Sequence, residues 1–408
     1  MKPHVTVLHR APAIAMPFAD RIDHDHYAVS YVTRKASMLT VPEGAAEVVV
    51  LDDFAAAPGA IRELANRFGI PERIVARSEH DLLTAADLRV EFGIQGNYPE
   101  HVLPFRDKLV MCEAISGAGI PIPEFACAAD RAAVESFAAV HGFPLIIKPT
   151  LGAGARGIVQ LNAPNDLAEL PDLDSQPYLV QHFCPDDVGH VDGVWLGTEL
   201  GPWRASRYLN TCLDFAAGGT RLGSVEIDDR DLVLRLGAFT ESVCMTLSKG
   251  RPQVFHLEFF LGSEQDGTPR IQFLEIAARV GGAEIAYIWR DVHGYDLLGA
   301  SLDIQLGRDP AAAPLGDEIG GWLVIRPSVP IPCRVLGTHL SLRPTEWSAP
   351  YGGDIPEPGS VISETAGYIN VGATLRFLGT SSADVMASIQ HTAAEFRMHC
   401  APVESAAS

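Results

Sequence analysis

Phe255-His256-Leu257-Glu258-Phe259-Phe260 and, after a turn, Arg270-Ile271-Gln272-Phe273-Leu274-Glu275-Ile276-Ala277-Ala278-Arg279-Val280-Gly281-Gly282 read as two strands that end in a cluster of opposite charges. Alternation in the first run puts Phe255, Leu257 and Phe259 on one face of a strand and His256, Glu258 and Phe260 on the other. Residues 263–269, with Asp266-Gly267, have the composition of a reversing turn. On the returning strand Glu275, Ala277 and Arg279 share a face, so two carboxylates and a guanidinium converge across a strand pair.

Paired carboxylates repel unless a cation lies between them, and an oxygen-rich pair suits magnesium, which keeps water and substrate phosphates as its other ligands. A structural ion pair of Glu258 or Glu275 with Arg279 explains the same residues. Taken alone, the stretch leaves both readings open.

Working outward, the apolar run Pro144-Leu145-Ile146-Ile147 ends in Lys148-Pro149, and Thr150-Leu151-Gly152-Ala153-Gly154-Ala155-Arg156-Gly157 follows. A lysine closing a buried strand beside a glycine-rich loop can set a point charge next to backbone N–H groups that wrap phosphate. No Gly-Lys-Ser or Gly-Lys-Thr is present, so this is not a Walker loop. The plain alternative is a glycine-rich connection between two strands.

Around these stretches the chain reads as alternating strands and helices. Residues 5–8 and 47–51 are apolar strands, and 60–68 a helix stopped by Gly69 and Pro71, the pattern of an open α/β sheet. No Gly-x-Gly-x-x-Gly follows the first strand, which gives no support to a dinucleotide site. Residues 78–92 read as a helix stopped at Gly93, and a further helix begins near 105, with Lys108 in its first turn. Asp130 caps a helix to His141, and 229–247 reads as another. Tyr178-Leu179-Val180-Gln181-His182-Phe183 is a short strand; in the next one His190, Asp192 and Val194 share a face. Residues 381–398 read as a closing helix, with a frayed tail from 401. His24-Asp25-His26 reads as a solvated loop.

The chain has 408 residues, enough for two or three domains, 47% hydrophobic residues and a net charge of -20. That balance argues against nucleic acid and anionic membrane as partners, so anionic ligands must be caught locally. No apolar run is long enough for a transmembrane helix, and the expected compartment is the cytoplasm. The seven cysteines form no Cys-x-x-Cys pair and read as reduced, mostly core thiols.

These residues, in this order and spacing, resemble the ATP-grasp superfamily, in particular its carboxylate-amine ligases of the L-amino acid ligase type. The likeness runs along nearly the whole chain: Arg106-Asp107-Lys108, Ile147-Lys148-Pro149 with its glycine loop, the strand at 179–183, His190-Val191-Asp192-Gly193, and Glu258 with Glu275 to Gly282. It implies an α/β (α+β) fold with an N-terminal open α/β domain over 1–103, a small central lid over 104–182 and a large C-terminal domain over 183–408. It implies ATP and Mg2+ as cofactors, with Mn2+ as an alternative ion. Lys108 and Lys148 would contact the phosphates, with Gly152, Gly154, Arg156 and Gly157 in the loop that covers them. Gln181, His182 and Phe183 would hold adenine through backbone groups, and His190 and Asp192 would line the ribose and phosphate side. Glu258 and Glu275 would bind the metal, and Arg279 would stabilise the acyl phosphate and the species formed from it.

Two departures from the family pattern bear on function. Gln181 stands where a glutamate is usual, and Ala277 replaces the asparagine of Glu-x-Asn-x-Arg, which removes an oxygen ligand for a second magnesium. The resemblance implies that a carboxylic acid, expected to be an amino acid, and an amine are joined with release of ADP and phosphate; a homodimer is common among similar proteins. An ATP-grasp carboxylase or purine-pathway ligase, and a nucleotide-binding regulator without catalysis, remain as other readings. Arg204, Arg207, Trp289 and His293 are further pocket candidates.

Overall fold

The structure, a computed structural model, describes residues 2–10, 17–340, 349–363 and 372–403. Its N-terminal part is a parallel four-stranded sheet in the order Glu47–Val50, Ala28–Thr33, His4–His9, Arg73–Ala76. His4–His9 is buried along its whole length, as expected for a central strand with helices packed on the sheet. The helix Ala57–Phe68 buries Ile61 and Leu64, and Gly69 (φ 92°) ends it. The segment expected as one helix from residue 78 begins as a 3-10 turn, Glu79–Asp81, and becomes α-helical over Leu82–Phe92. That turn is what aims Glu79 away from the helix.

An antiparallel sheet in the order Phe125–Cys127, Tyr178–His182, Leu145–Pro149, Val159–Leu161 occupies the segment expected to be the lid and takes that name. The helix Arg131–His141 packs on it, and Asp130 caps that helix by accepting from the Ala133 N–H at 2.8 Å. Their shared core is Val134, Phe137, Leu145, Ile147, Leu161, Tyr178 and Val180. Phe105, Met111, Ile115 and Ile120, which precede the lid strands, pack instead against the large sheet.

That sheet has eight strands, ordered Pro269–Ala277, Gln253–Ser263, Asp187–Trp195, Leu200–Tyr208, Arg221–Glu226, Ile319–Ile325, Ala373–Gly379, Gly352–Asp354. Phe255, Leu257 and Phe259 face a core built with the helix Arg230–Ser248 through Leu232, Leu236, Val243 and Leu247. Burying such side chains is worth roughly 1.5–3 kcal/mol each, which holds the strand in one register. His256, Glu258 and Phe260 are thereby turned the other way, toward a cavity.

The C-terminal expectation needs correction. The last helix, Ser382–Glu395, stops short of residue 398, and Phe396–Pro402 is a strand paired with Cys333–Leu340. Phe396 and Met398 are buried while Arg397 and His399 are exposed, a period of two that a helix cannot satisfy. Residues 401 and 402 are therefore ladder partners of Arg334 and Cys333, not a frayed tail. The cysteines are also less uniformly core than expected: Cys112, Cys244 and Cys333 are buried, Cys127 exposed. No helix among the described residues is long and apolar enough to cross a membrane.

Candidate active site

A cavity of about 1240 Å³ lies where the lid, the large sheet and the N-terminal sheet meet. Lys108, Lys148, Gly152, Gly154, Arg156, Gln181, His182, Phe183, Glu258, Glu275 and Arg279 all line it, although the sequence separates the first from the last by more than half the large domain. Gly157 lies in the same loop, with Arg156 and Ile158 at the wall on either side of it.

Strand pairing places the two carboxylates. Glu258 is directly opposite Glu275, and the register slips immediately afterwards, so that Phe259 pairs with Phe273. This β-bulge leaves Leu274 extra and changes which face each residue takes. Phe273 enters the core beside Phe259, while Glu275 stays on the cavity side with Glu258. Strict alternation would have kept Glu275 on the face of Phe273.

Glu258 is held from behind. The Tyr208 hydroxyl donates to its Oε1 at 3.0 Å, and His256 Nε2 lies 3.7 Å from the same oxygen. Burial would raise this carboxyl, but His256 and the Tyr208 hydroxyl hold it below its ordinary value. His256 Nδ1 in turn bonds Asp192 Oδ1 at 2.9 Å, and His190 Nδ1 bonds the other oxygen, Asp192 Oδ2, at 2.6 Å. Burial alone would make His256 less basic; the Asp192 carboxylate reverses this and pushes it up to about 9. His190 and Asp192 do not reach the cavity: each is 2% exposed, beneath its floor. They were expected to line it. They instead orient His256, and through it Glu258, in a set whose polar atoms satisfy one another.

On the lid side, Lys148 is 3% exposed and its Nζ donates to Gln181 Oε1 at 2.9 Å. Burial lowers its pKa. Gln181 Nε2 is buried without a hydrogen-bond partner among the described residues. The N–H groups of His182 and Phe183 already bond the carbonyls of Glu124 (2.8 Å) and Pro144 (3.0 Å), which leaves their carbonyls as the backbone groups free to meet a ligand. This narrows the expected adenine contacts.

Lys108 opens the helix Lys108–Gly117, whose cap is Asp107, accepting from the N–H groups of Leu109 and Val110. Its backbone N–H bonds Thr150 O at 2.9 Å, and its Nζ donates to Gly152 O at 2.8 Å and lies 3.2 Å from Glu275 Oε2. The glycine loop is thus tied to Lys108 at its base. Gly154, Ala155 and Gly157 have φ of 62°, 57° and 70°, the left-handed region that glycine enters at little cost.

Arg279 does not pair directly with Glu258 or Glu275. Its Nε donates to Glu79 Oε2, at the start of the 3-10 turn of the N-terminal part. Glu79 also accepts from Arg106 Nη1 at 2.7 Å. Burial would raise the Glu79 carboxyl, but Arg279 and Arg106 together hold it at about 2. Glu79 was not picked out from the sequence, where it sits in a polar Arg-Ser-Glu-His-Asp run with no periodic signal. Arg204 (bonded to Gly316 O), Trp289 and His293 (bonded to Glu226 Oε1 at 2.7 Å) are framework residues that do not line the cavity, and neither does Arg207. His24, in the loop expected to be solvated, bonds Ile22 O and the Tyr31 hydroxyl.

No protein-family model matches the chain. In sequence it is 24% identical over 349 residues, 80% of this chain and 79% of the other, to an L-arginine-specific L-amino acid ligase of Bacillus subtilis. In structure it is similar to an L-amino acid ligase from Bacillus licheniformis, with a TM-score of 0.67 at 14% identity over 98% of both chains. It is also similar to N5-carboxyaminoimidazole ribonucleotide synthetase from Thermotoga maritima, with a TM-score of 0.65 at 14% identity over 98% and 99% of the two chains. With this likeness running nearly end to end, the chain is a protein of the ATP-grasp fold.

Proposed function

We propose that the protein is an ATP-dependent carboxylate-amine ligase that forms an amide bond between small molecules, with amino acids as substrates. The observation that carries this reading is the pairing of Glu258 with Glu275 across a bulged strand pair, in one cavity with Lys108, Lys148 and Arg279. The likeness in sequence to an L-amino acid ligase supports the choice of amine and acid.

The residues fit ATP and a divalent ion. The orphaned Gln181 Nε2 and the free carbonyls of residues 182 and 183 suit the polar edge of adenine. Lys148 and Lys108 now rest on Gln181, Gly152 O and Glu275, acceptors that phosphate oxygens can replace. Glu258 and Glu275 would hold Mg2+, which when bound neutralises phosphate charge and aligns the γ-phosphoryl group. Ala277 offers no oxygen to a second ion, so these two carboxylates would carry the metal sites.

In the reaction a substrate carboxylate oxygen attacks the γ-phosphorus and the bond to the ADP oxygen breaks, giving an acyl phosphate. The amine nitrogen then attacks the acyl carbon, the bond to the phosphate oxygen breaks, and the nitrogen loses a proton. Arg279, kept in place by Glu79, faces the negative charge that develops on the acyl group in both steps. The lid and its glycine loop close over the phosphates and keep water from the acyl phosphate. His190 and Asp192 act as positioning residues for His256 and Glu258.

The test is product analysis. Release of ADP and phosphate that depends on both an acid and an amine is expected; AMP and pyrophosphate would rule the reading out. A carboxylase reading draws on the equally good structural likeness to the Thermotoga maritima synthetase, and strict dependence on bicarbonate would select it.

A further inference from the structure

The far end of the cavity, beyond Arg279, is bounded by the carboxyl-terminal edge of the N-terminal parallel sheet. Three adjacent strands there are each followed at once by an arginine: His4–His9 by Arg10, Ala28–Thr33 by Arg34, and Arg73–Ala76 by Arg77. The registers His9 with Thr33 and Leu8 with Ala76 bring these three residues to the same edge, and all of them line the cavity. The carboxyl ends of parallel strands are where open α/β sheets bind ligands.

The cations around the cavity differ in what satisfies them. Arg10 is bound by Asp81, at 2.9 Å from Nε and 2.5 Å from Nη2, and lies over the Phe54 ring. Arg279 and Arg106 share Glu79, and Arg376 reaches Glu284 and Asp291. Arg34 Nε and Arg77 Nη1 are buried with no hydrogen-bond partner among the described residues, as are Arg106 Nε and Arg376 Nε, but unlike Arg106 and Arg376 neither Arg34 nor Arg77 has an ion pair there; Arg34 lies 5.7 Å from the Phe54 ring centre. Burial, with the charge of Arg279 nearby, lowers the Arg77 guanidinium to about 10. In a chain with a net charge of -20, two arginines that line the cavity without an ion pair among the described residues have the chemistry to receive an anion, although Asp81 acts on Arg34 from a distance.

We infer that Arg34 and Arg77 form a subsite for a free carboxylate, distinct from the carboxylate that is phosphorylated, so that the ligase takes a substrate bearing an anionic group that survives the reaction. This rests on the ligase reading above. Two substrates could bring that group: a dicarboxylic acyl donor, or an amine acceptor that is itself an amino acid. Arginine suits the task because its planar fork pairs with a carboxylate through two bonds and stays charged in a buried setting.

The experiment uses the full chain, its Arg34→Ala and Arg77→Ala variants, and Arg77→Lys. Thermal shift is measured with glycine and the common L-amino acids, each beside its α-amide, and with aspartate and glutamate beside asparagine and glutamine. At least one acid is expected to stabilise the wild type more than its amide, and both alanine variants to bind that acid about tenfold or more weakly, with Arg77→Lys in between. The shift produced by ATP with magnesium is expected to be unchanged in all three. Turnover with the same compounds then assigns the source. A preference for aspartate or glutamate that the variants lose marks the acyl donor; a preference for an amino acid over its amide as the amine marks the acceptor. The inference is overturned if no acid outperforms its amide on the wild type, or if the alanine variants keep the wild-type preference. Failure of the ligase reading would appear separately, as absence of ADP release with every pair while the thermal shifts still report on the subsite.

Discussion

At the lid end of the cavity Lys148 and Lys108 rest on protein acceptors, whereas at the edge of the N-terminal sheet Arg34 and Arg77 carry buried nitrogens without one. The acceptors at the lid end are a side-chain amide, a loop carbonyl and a carboxylate that is one third exposed, all within reach of exchange with phosphate oxygens. Among the described residues the sheet edge has no such placeholder. Between the two ends sits Glu79, whose partners Arg106 and Arg279 tie the N-terminal part to the segment before the helix Lys108–Gly117 and to the end of the strand Pro269–Ala277. In the proposed reading one end exchanges partners and the other receives one, and the Glu79 ion pairs lie between them.

The sharpest way to break this contrast is at the carboxylates. Glu258→Gln and Glu275→Gln should each lower ADP release by about 10²–10³-fold, the scale for losing one preorganised charge partner. Melting temperatures without nucleotide should fall only slightly, because Arg279 takes its carboxylate from Glu79, and the loss is confined to the charge of Glu258 beside His256 or of Glu275 beside Lys108. Loss of about 3 kcal/mol of stability with turnover near wild type would make these two residues architectural.

Glu79→Gln should behave in the opposite sense. It leaves Arg106 and Arg279 short of a buried acceptor, and we expect about 3 kcal/mol of destabilisation in urea unfolding. Its pH dependence has a definite sign. The carboxyl lies at about 2 in the folded chain against an ordinary 4.5, so the stabilisation is complete above the ordinary value and disappears as pH falls toward 2. The stability gap between wild type and variant should therefore be constant near neutrality and close on acidification through that window. A gap that does not change with pH would contradict the ion-pair assignment.

Lys148→Ala should abolish most of the thermal shift produced by ATP with magnesium, with an affinity loss of about tenfold or more, while the protein without nucleotide remains folded. An unchanged shift would leave Lys148 as no more than a partner of Gln181. The smallest effect is expected at the loop: Gly157→Ala places a Cβ at φ 70° and 3.1 Å from Pro149 Cγ, a cost of about 1 kcal/mol. That should appear as a raised KM for ATP with little change in melting temperature.

Much of this site was legible before any tertiary contact was known. The alternation at 255–260, the lysine closing an apolar strand, the capping residue Asp130, and the glycine stops at Gly69 and Gly93 all act within a few residues, so their signals are local. The end of the last helix was misread because Phe396 and Met398 continue an apolar pattern whose period changes only at the boundary. His190 and Asp192 were rightly put on one face of a strand, yet strand parity alone cannot say whether a face opens on a cavity or is roofed by His256 and Ser224.

By itself the sequence determined most of the elements and the two faces of the strand at 255–260, and it singled out Glu258 and Glu275 as a carboxylate pair, because side-chain period and backbone conformation are set by neighbours in the chain. The tertiary structure alone decided that a bulge at Leu274 keeps Glu275 beside Glu258, that Arg279 belongs to Glu79 two hundred positions away, and that three arginines from separate strands share one edge. These are outcomes of register and of packing between sheets, where the cost of leaving charge buried is resolved between residues that no local pattern connects.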